Sequence, residues 1–198
     1  MYTKKQLEIK LSHLELSENL NSNLEQYPTD SGNAAWVVFK AALDGNVTGK
    51  NVIDLGTGNG IFAIGASLMG ASSVYAFDAD SSQIAVARGN AKGLNIVFET
   101  KDVMLVHGHY DTAFMNPPFG SVSPHADTPF LSKALEVADW IYSIHNARTS
   151  EFVKSFYEER GEIIYSEFIS LRMPHLYDYH TREVQNIPAI FYCVRSSK

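Results

Sequence analysis

Three glycines and three aspartates are spaced as a strand-to-helix turn that grips a nucleotide-like cofactor would need them. The run Val52-Ile53-Asp54-Leu55-Gly56-Thr57-Gly58-Asn59-Gly60-Ile61 reads as a buried strand, a glycine-rich turn and the start of a helix. Glycines allow positive φ and close backbone approach to a ligand. The helix that follows offers unpaired N–H groups at its start. The spacing is G-x-G-x-G, not the G-x-G-x-x-G of dinucleotide sites. Asp54 stands just before the first glycine, where a carboxylate repels a pyrophosphate but tolerates a cationic amino group. Asp78 and Asp102 follow at successive intervals of 24 residues, each at a predicted strand end. Asp78 could accept hydrogen bonds from both hydroxyls of a ribose, and Asp102 from an adenine amino group. Such a set fits S-adenosylmethionine better than NAD. The alternative is a plain tight turn with solvated aspartates, and the common register of the three carboxylates weighs against it.

The second chemical feature is Asn116-Pro117-Pro118-Phe119-Gly120, directly after a predicted fourth strand. The prolines fix φ and remove two N–H donors, which leaves the carbonyls of Asn116 and Pro117 without local competitors. The Asn116 side-chain oxygen and the Pro117 carbonyl could take both hydrogens of an NH2 group on a planar substrate. Phe119 could stack on the ring. Catalysis of this kind is alignment plus polarisation. The bland alternative is a rigid strand exit.

These features need a scaffold of alternating strands and helices. Strands are predicted near 51–55, 73–77, 95–99, 112–115, 138–144, 162–171 and 189–194. Helices are predicted near 59–69, 80–92, 128–137 and 149–159, with Gly93 as a C-cap. The alternation implies an α/β, Rossmann-like, doubly wound, seven-stranded and mostly parallel sheet covered on both faces. Residues 1–45 form an N-terminal helical extension, and 46–198 form the core. Leu7, Leu11 and Leu14 mark one apolar stripe in the first helix, and a second helix is predicted over 31–43.

Composition narrows the function classes. The 198 residues fit one domain, and with 45% apolar and 19% charged residues a packed core is expected. The single Cys193 permits no internal disulfide and no multi-cysteine zinc site. The net charge of −6 argues against nucleic-acid binding through bulk charge. The start of the chain has no apolar signal region, and the uncharged stretch 55–77 is broken by glycines, so no membrane segment and a cytoplasmic location are expected. His107 and His109 lack a third ligand at a sensible spacing, so no metal site is expected. His145 and Cys193 read as structural residues.

Together these motifs resemble class I S-adenosylmethionine-dependent methyltransferases of the Asn-Pro-Pro-aromatic type. They resemble above all the methyltransferase-like protein five family of ribosomal RNA adenine-N6 methyltransferases and its archaeal relatives. The resemblance is carried by Leu24-Glu25-Gln26-Tyr27-Pro28-Thr29, the glycine loop, Phe77–Asp80, Asp102-Val103 and Met115–Gly120. It continues through Asp127, Phe130-Leu131, Tyr142-Ser143-Ile144-His145 and Leu171-Arg172. It implies that Gln26 and Thr29 close over the cofactor, and that Gly56, Asn59 and Ile61, with Gly58 and Gly60, line its methionine end. It further implies Asp78 at the ribose, Asp102 and Val103 at the adenine, and Asn116 to Phe119 at the target base. Arg172, His180 and Arg182, in a segment rich in Tyr and His, become candidate RNA contacts. A small zinc-ribbon activator is an implied partner, with strand pairing near Val74 and Phe77. The departures from the family are a C-terminal loop, 177–183, that has a single Arg and one His where relatives cluster lysines, and Asn59, where some relatives have Cys.

The expected function is therefore methyl transfer to adenine N6 of structured, ribosomal RNA. A protein glutamine, guanine N2 or DNA adenine could be the acceptor on the same fold. A non-catalytic cofactor-binding scaffold is a rival of another class.

Overall fold

Short β-branched and aromatic runs, apolar on both faces, pair in parallel to build the centre of the molecule. The computed structural model describes residues 1–17, 28–119, 126–173 and 185–197. Strands β1 (Asn51–Leu55), β2 (Ser73–Asp78), β3 (Val97–Thr100), β4 (Tyr110–Met115) and β5 (Ala138–Asn146) are parallel. The longer β6 (Gly161–Met173) and β7 (Gln185–Ser196) pair with each other antiparallel. The strand order is β3-β2-β1-β4-β5-β7-β6, with β7 also antiparallel to β5. This is the seven-stranded, doubly wound and mostly parallel sheet expected from the sequence.

Helices α1 (Lys4–Leu11), α2 (Ser31–Leu43), α3 (Ile61–Leu68) and α4 (Ser81–Asn90) cover one face; α5 (Thr128–Val137) and α6 (Ser150–Glu158) cover the other. Strand alternation distributes the core between them. Val52 of β1 packs with the first group, whereas Ile53 and Leu55 pack with the second. Leu7 and Leu11 of α1 and Val37 and Val38 of α2 join one cluster with Phe62 and Ile64 of α3. The N-terminal helices thus share the core of the sheet. Among the described residues no helix is long and apolar enough to cross a membrane.

Several boundaries differ from the sequence reading, each for a local reason. Helix α1 stops at Leu11, so Leu14 lies beyond it yet still packs on the core. Helix α3 starts at Ile61 rather than Asn59, because its N-cap Gly60 sits at φ 90°, in the left-handed region. The edge expected near Val74 and Phe77 is not an edge. Strand β2 lies between β1 and β3, and the two side chains are 2% and 4% exposed. The edge strands of the sheet are β3 and β6.

Gly60 is also where α4 comes closest to the glycine loop. A Cβ at Gly60 would lie 3.2 Å from the Ala87 Cβ and 3.3 Å from Ile64 Cδ1. Gly60→Ala adds this crowding to an unfavourable φ. It is expected to lower stability by roughly 2 kcal/mol, measured as a lower urea midpoint with an unchanged slope.

Candidate active site

The order of strands reverses between β1 and β4, and the loops leaving their carboxyl ends part there to form a cleft. The cleft encloses about 1130 Å³, counting the space open to solvent. Its floor is the glycine loop, with Gly56, Thr57, Gly58 and Asn59. One wall carries Asp78 at the end of β2 with Ala79 after it, and Lys101, Asp102 and Val103 after β3. The other wall carries Asn116 and Pro118 after β4, with Phe130 of α5. Leu16, Ser17, Pro28 and Thr29 close it from the N-terminal region.

The glycine loop turns sharply. Gly56 and Gly58 have φ of 72° and 53°. The N–H groups of Gly56 and Thr57 both donate to the Phe77 carbonyl at 2.9 Å, which pins the loop to β2. At Gly58 a Cβ would meet nothing within 4 Å, so this part of the backbone faces open space. The Gly58 N–H donates to Asp78 Oδ2 at 2.9 Å, and the Asp80 N–H to Asp78 Oδ1 at 2.9 Å. Each carboxylate oxygen accepts more than one bond, so Asp78 can hold the loop and still accept from a ligand. Burial raises its pKa, against the pull of these backbone bonds.

Asp54 stands apart from the expectation made for it. It does not line the cleft but lies fully buried behind the loop. Its Oδ2 accepts from Thr57 Oγ1 at 2.7 Å and from the Ala63 N–H at 2.9 Å. Gly60 has no side chain to cap α3, so Asp54 satisfies that first-turn donor from inside β1. Desolvation pushes its pKa up to about 7, opposed by the bonds from Thr57 and Ala63 and reinforced by the Asp78 charge.

On the opposite wall the Asn116 amide nitrogen donates to Thr29 Oγ1 at 3.0 Å. Thr29 is itself buried and directly precedes Asp30, the N-cap of α2. Asp30 Oδ2 also accepts the backbone N–H of Arg172 at 3.0 Å. The Asn116 side chain is thus referenced, through Thr29 and Asp30, to the end of β6. Asp102 accepts the Met104 N–H at 2.8 Å and caps the turn that carries Val103.

Of the residues predicted from sequence, Thr29, Gly56, Gly58, Asn59, Ile61, Asp78, Asp102, Val103, Asn116 and Pro118 line one cavity. Gly60 and Pro117 stand beside it without lining it. Phe119 departs from expectation: its ring is 5% exposed, packed in the core with Phe62 and Phe114. Burial of a large apolar ring is favourable wherever a slot exists, and the aromatic rings that line the cavity are those of Phe62, Phe77 and Phe130. Arg172 is exposed and does not line the cavity. Gln26, His180 and Arg182 lie outside the described residues. The sequence reading missed Leu16, Ser17, Gln83 and Lys101. No motif marks them, and only the register of β3 could have pointed to Lys101, which precedes Asp102. Among the described residues no group of His, Cys, Asp and Glu could hold a metal ion.

Known proteins share this sequence pattern and fold. Residues 39–115 match the family model for ribosomal protein L11 methyltransferase (PrmA). The chain is 37% identical to the protein MJ0284 of Methanocaldococcus jannaschii, over 97% of this chain and 94% of that one. It is 30% identical to the rRNA N(6)-adenosine-methyltransferase Mettl5 of Drosophila melanogaster, over 85% of each chain. The crystal structure of PH1948 from Pyrococcus horikoshii superposes with a TM-score of 0.90 at 34% identity, covering 99% of this chain and 98% of that one.

The position of Asp54 predicts a pH effect. Its pKa is about 7 in the fold against an ordinary 3.8. The folded state therefore holds the extra proton between these values, and stability falls as pH rises through 7. Asp54→Asn cannot ionise, and its amide oxygen can still accept from Thr57 and Ala63. Relative to the parent protein, the variant is expected to gain on the order of 3 kcal/mol between pH 5 and pH 8, read from urea midpoints at the two pH values.

Proposed function

This chain belongs to the methyltransferase-like protein five family of Drosophila Mettl5, and we propose that it methylates N6 of an adenine in structured, ribosomal RNA. S-adenosylmethionine is the methyl donor. One observation carries the reading: a single cavity holds both a glycine-loop cofactor cradle and Asn116 of an Asn-Pro-Pro-Phe turn.

The residues present fit that donor. The open backbone at Gly58 leaves room for a ligand to approach the loop. Gly56, Asn59 and Ile61, with Thr29, take its methionine end, and Gln26, outside the described residues, is proposed to join them on the family resemblance alone. Asp78 accepts from its ribose, and Asp102 and Val103 flank its adenine. When bound, the donor supplies a methyl group on a positively charged sulfur, an electrophile that needs alignment more than acid–base help.

The work of this chain is to present the nucleophile. The lone pair of an adenine amino group is delocalised into the ring. Two acceptors, Asn116 Oδ1 and the Pro117 carbonyl, bind its hydrogens and draw the nitrogen toward a tetrahedral shape that exposes the pair. An asparagine amide can also present its NH2 edge, which would oppose an amino group donor to donor. Thr29 removes that ambiguity. With Asn116 Nδ2 on Thr29 Oγ1, the amide oxygen is turned to the other side. Stacking by Phe119 requires its ring to leave the core, where it is 5% exposed. Phe130 already offers a ring at the wall.

The target adenine must be unpaired or flipped to enter such a cavity. Arg172, with His180 and Arg182, is the proposed RNA-contacting set. The net charge of −6 makes that surface local, and a small zinc-ribbon activator is the proposed source of further basic surface. The buried Val74 and Phe77 are not where it docks.

The reading is tested by incubating the protein with methyl-labelled S-adenosylmethionine and total RNA from its source, then identifying labelled nucleosides by mass spectrometry. Label in N6-methyladenosine is expected. Label in another nucleoside, or in protein alone, would replace the acceptor. Asn116→Ala should cost at least ~100-fold in kcat with donor binding retained. Thr29→Val removes the bond to Asn116 while keeping the side-chain shape, and should lower kcat roughly 10-fold. Thr29→Ser should restore the rate.

A further inference from the structure

The amide of Asn90, the last residue of α4, matches three backbone groups one for one. Its oxygen accepts the Glu15 N–H at 2.9 Å. Its nitrogen donates to the Glu15 carbonyl at 3.0 Å and to the Asn59 carbonyl at 3.0 Å. A primary amide has two N–H donors, and here both are used, with the oxygen as acceptor. Flipping the amide would break all three bonds, so the orientation is determined by the partners. The Asn59 side chain adds a fourth bond, Nδ2 to the Glu15 carbonyl at 3.2 Å.

These bonds join three segments distant in sequence. Asn59 belongs to the glycine loop and lines the cavity. Leu16 and Ser17, the next residues after Glu15, line it from the N-terminal region. Asn90 does not line it. Helix α4 reaches this position because Gly60 has no Cβ: one placed there would sit 3.2 Å from the Ala87 Cβ. The missing side chain at Gly60 and the amide at Asn90 are two halves of one contact.

We propose that Asn90 is a positioning residue for the cofactor: it clamps the Glu15 backbone to the glycine loop and so holds the Leu16–Ser17 wall of the cavity in place. The inference rests on S-adenosylmethionine being the ligand of that cavity. Asn90 touches neither donor nor acceptor base, so its effect falls on donor affinity and not on the transfer step.

Two variants separate this role from a helical one. Asn90→Ala removes all three bonds, and Asn90→Asp keeps the shape but loses both donors and faces two carbonyls with a carboxylate. Alanine is a better helix former than asparagine, so a residue serving only α4 would be improved by the first change. The clamp predicts the opposite. In calorimetric titrations both variants should bind S-adenosylmethionine and S-adenosylhomocysteine roughly 10-fold more weakly, with kcat at saturating donor preserved. In the ligand-free protein, hydrogen exchange at the Glu15 amide should be at least ~10-fold faster in both. Parent-like affinity, or unchanged exchange at Glu15, overturns the proposal. If the parent protein binds neither ligand, the donor reading of the cavity fails and the assignment to a cofactor falls with it. The exchange result then reports on the clamp alone.

Discussion

A buried carboxyl at the end of β1 sets the geometry on which the cleft depends. The chain must turn from strand to helix within a few residues, through glycines with positive φ, and such a turn cannot cap the helix it starts. Asp54 supplies the cap from behind, accepting from Thr57 Oγ1 and the Ala63 N–H. The same turn hangs from β2 through two N–H bonds to the Phe77 carbonyl. The loop is thereby fixed on its inner side, and the Gly58 edge is left facing space. The cost is a carboxyl held in a dry site, visible as a pKa near 7. A group that sequence spacing places beside a cationic ligand thus acts mainly on the loop.

The division between what the sequence disclosed and what it did not follows from the range of the interactions. Strand β1, the glycine loop, Asp78 at the end of β2 and Asn116 at the end of β4 are local patterns, and periodicity plus turn chemistry place them at one edge of a parallel sheet. Phe119 shows the limit. Its neighbours in sequence mark a substrate turn, but its ring lies in the buried cluster that also holds Phe62 and Phe114, which only the folded core defines. Val74 and Phe77 show another. An apolar strand reads alike at an edge or in the interior, and the order of strands decides. Asn90, Leu16 and Lys101 carry no motif, because their roles come from contacts across 75 residues or from a register step.

Residues that mark the family in sequence also prove to have structural partners that spacing does not reveal. Tyr142 is fully buried, accepts from Asn46 Nδ2 at 2.8 Å and donates to Asp44 Oδ2 at 3.0 Å, which ties β5 to the end of α2. His145, 1% exposed, has Nδ1 3.5 Å from Asp127 Oδ2, at the start of the helix that carries Phe130. Burial lowers the His145 pKa while Asp127 pulls it up. His145 thereby braces the helix that puts Phe130 at the cleft, and Tyr142 braces the helix that follows Thr29 in the chain.

The N-terminal region therefore cannot be treated as an accessory laid over a finished core. Leu7 and Leu11 fill the same apolar cluster as the sheet and α3. Its backbone at Glu15 is held by Asn90 and Asn59, and at Thr29 it receives the Asn116 amide. One stretch of chain thus borders the glycine loop at one point and orients the Asn-Pro-Pro-Phe asparagine at another. The N-terminal region thus contributes separately to the donor site and to the acceptor site. Displacing the Leu16–Ser17 wall weakens the first, and displacing Thr29 misaligns the second. These contacts give the fold a physical reason to keep residues 1–17 and 28–30 packed against the core.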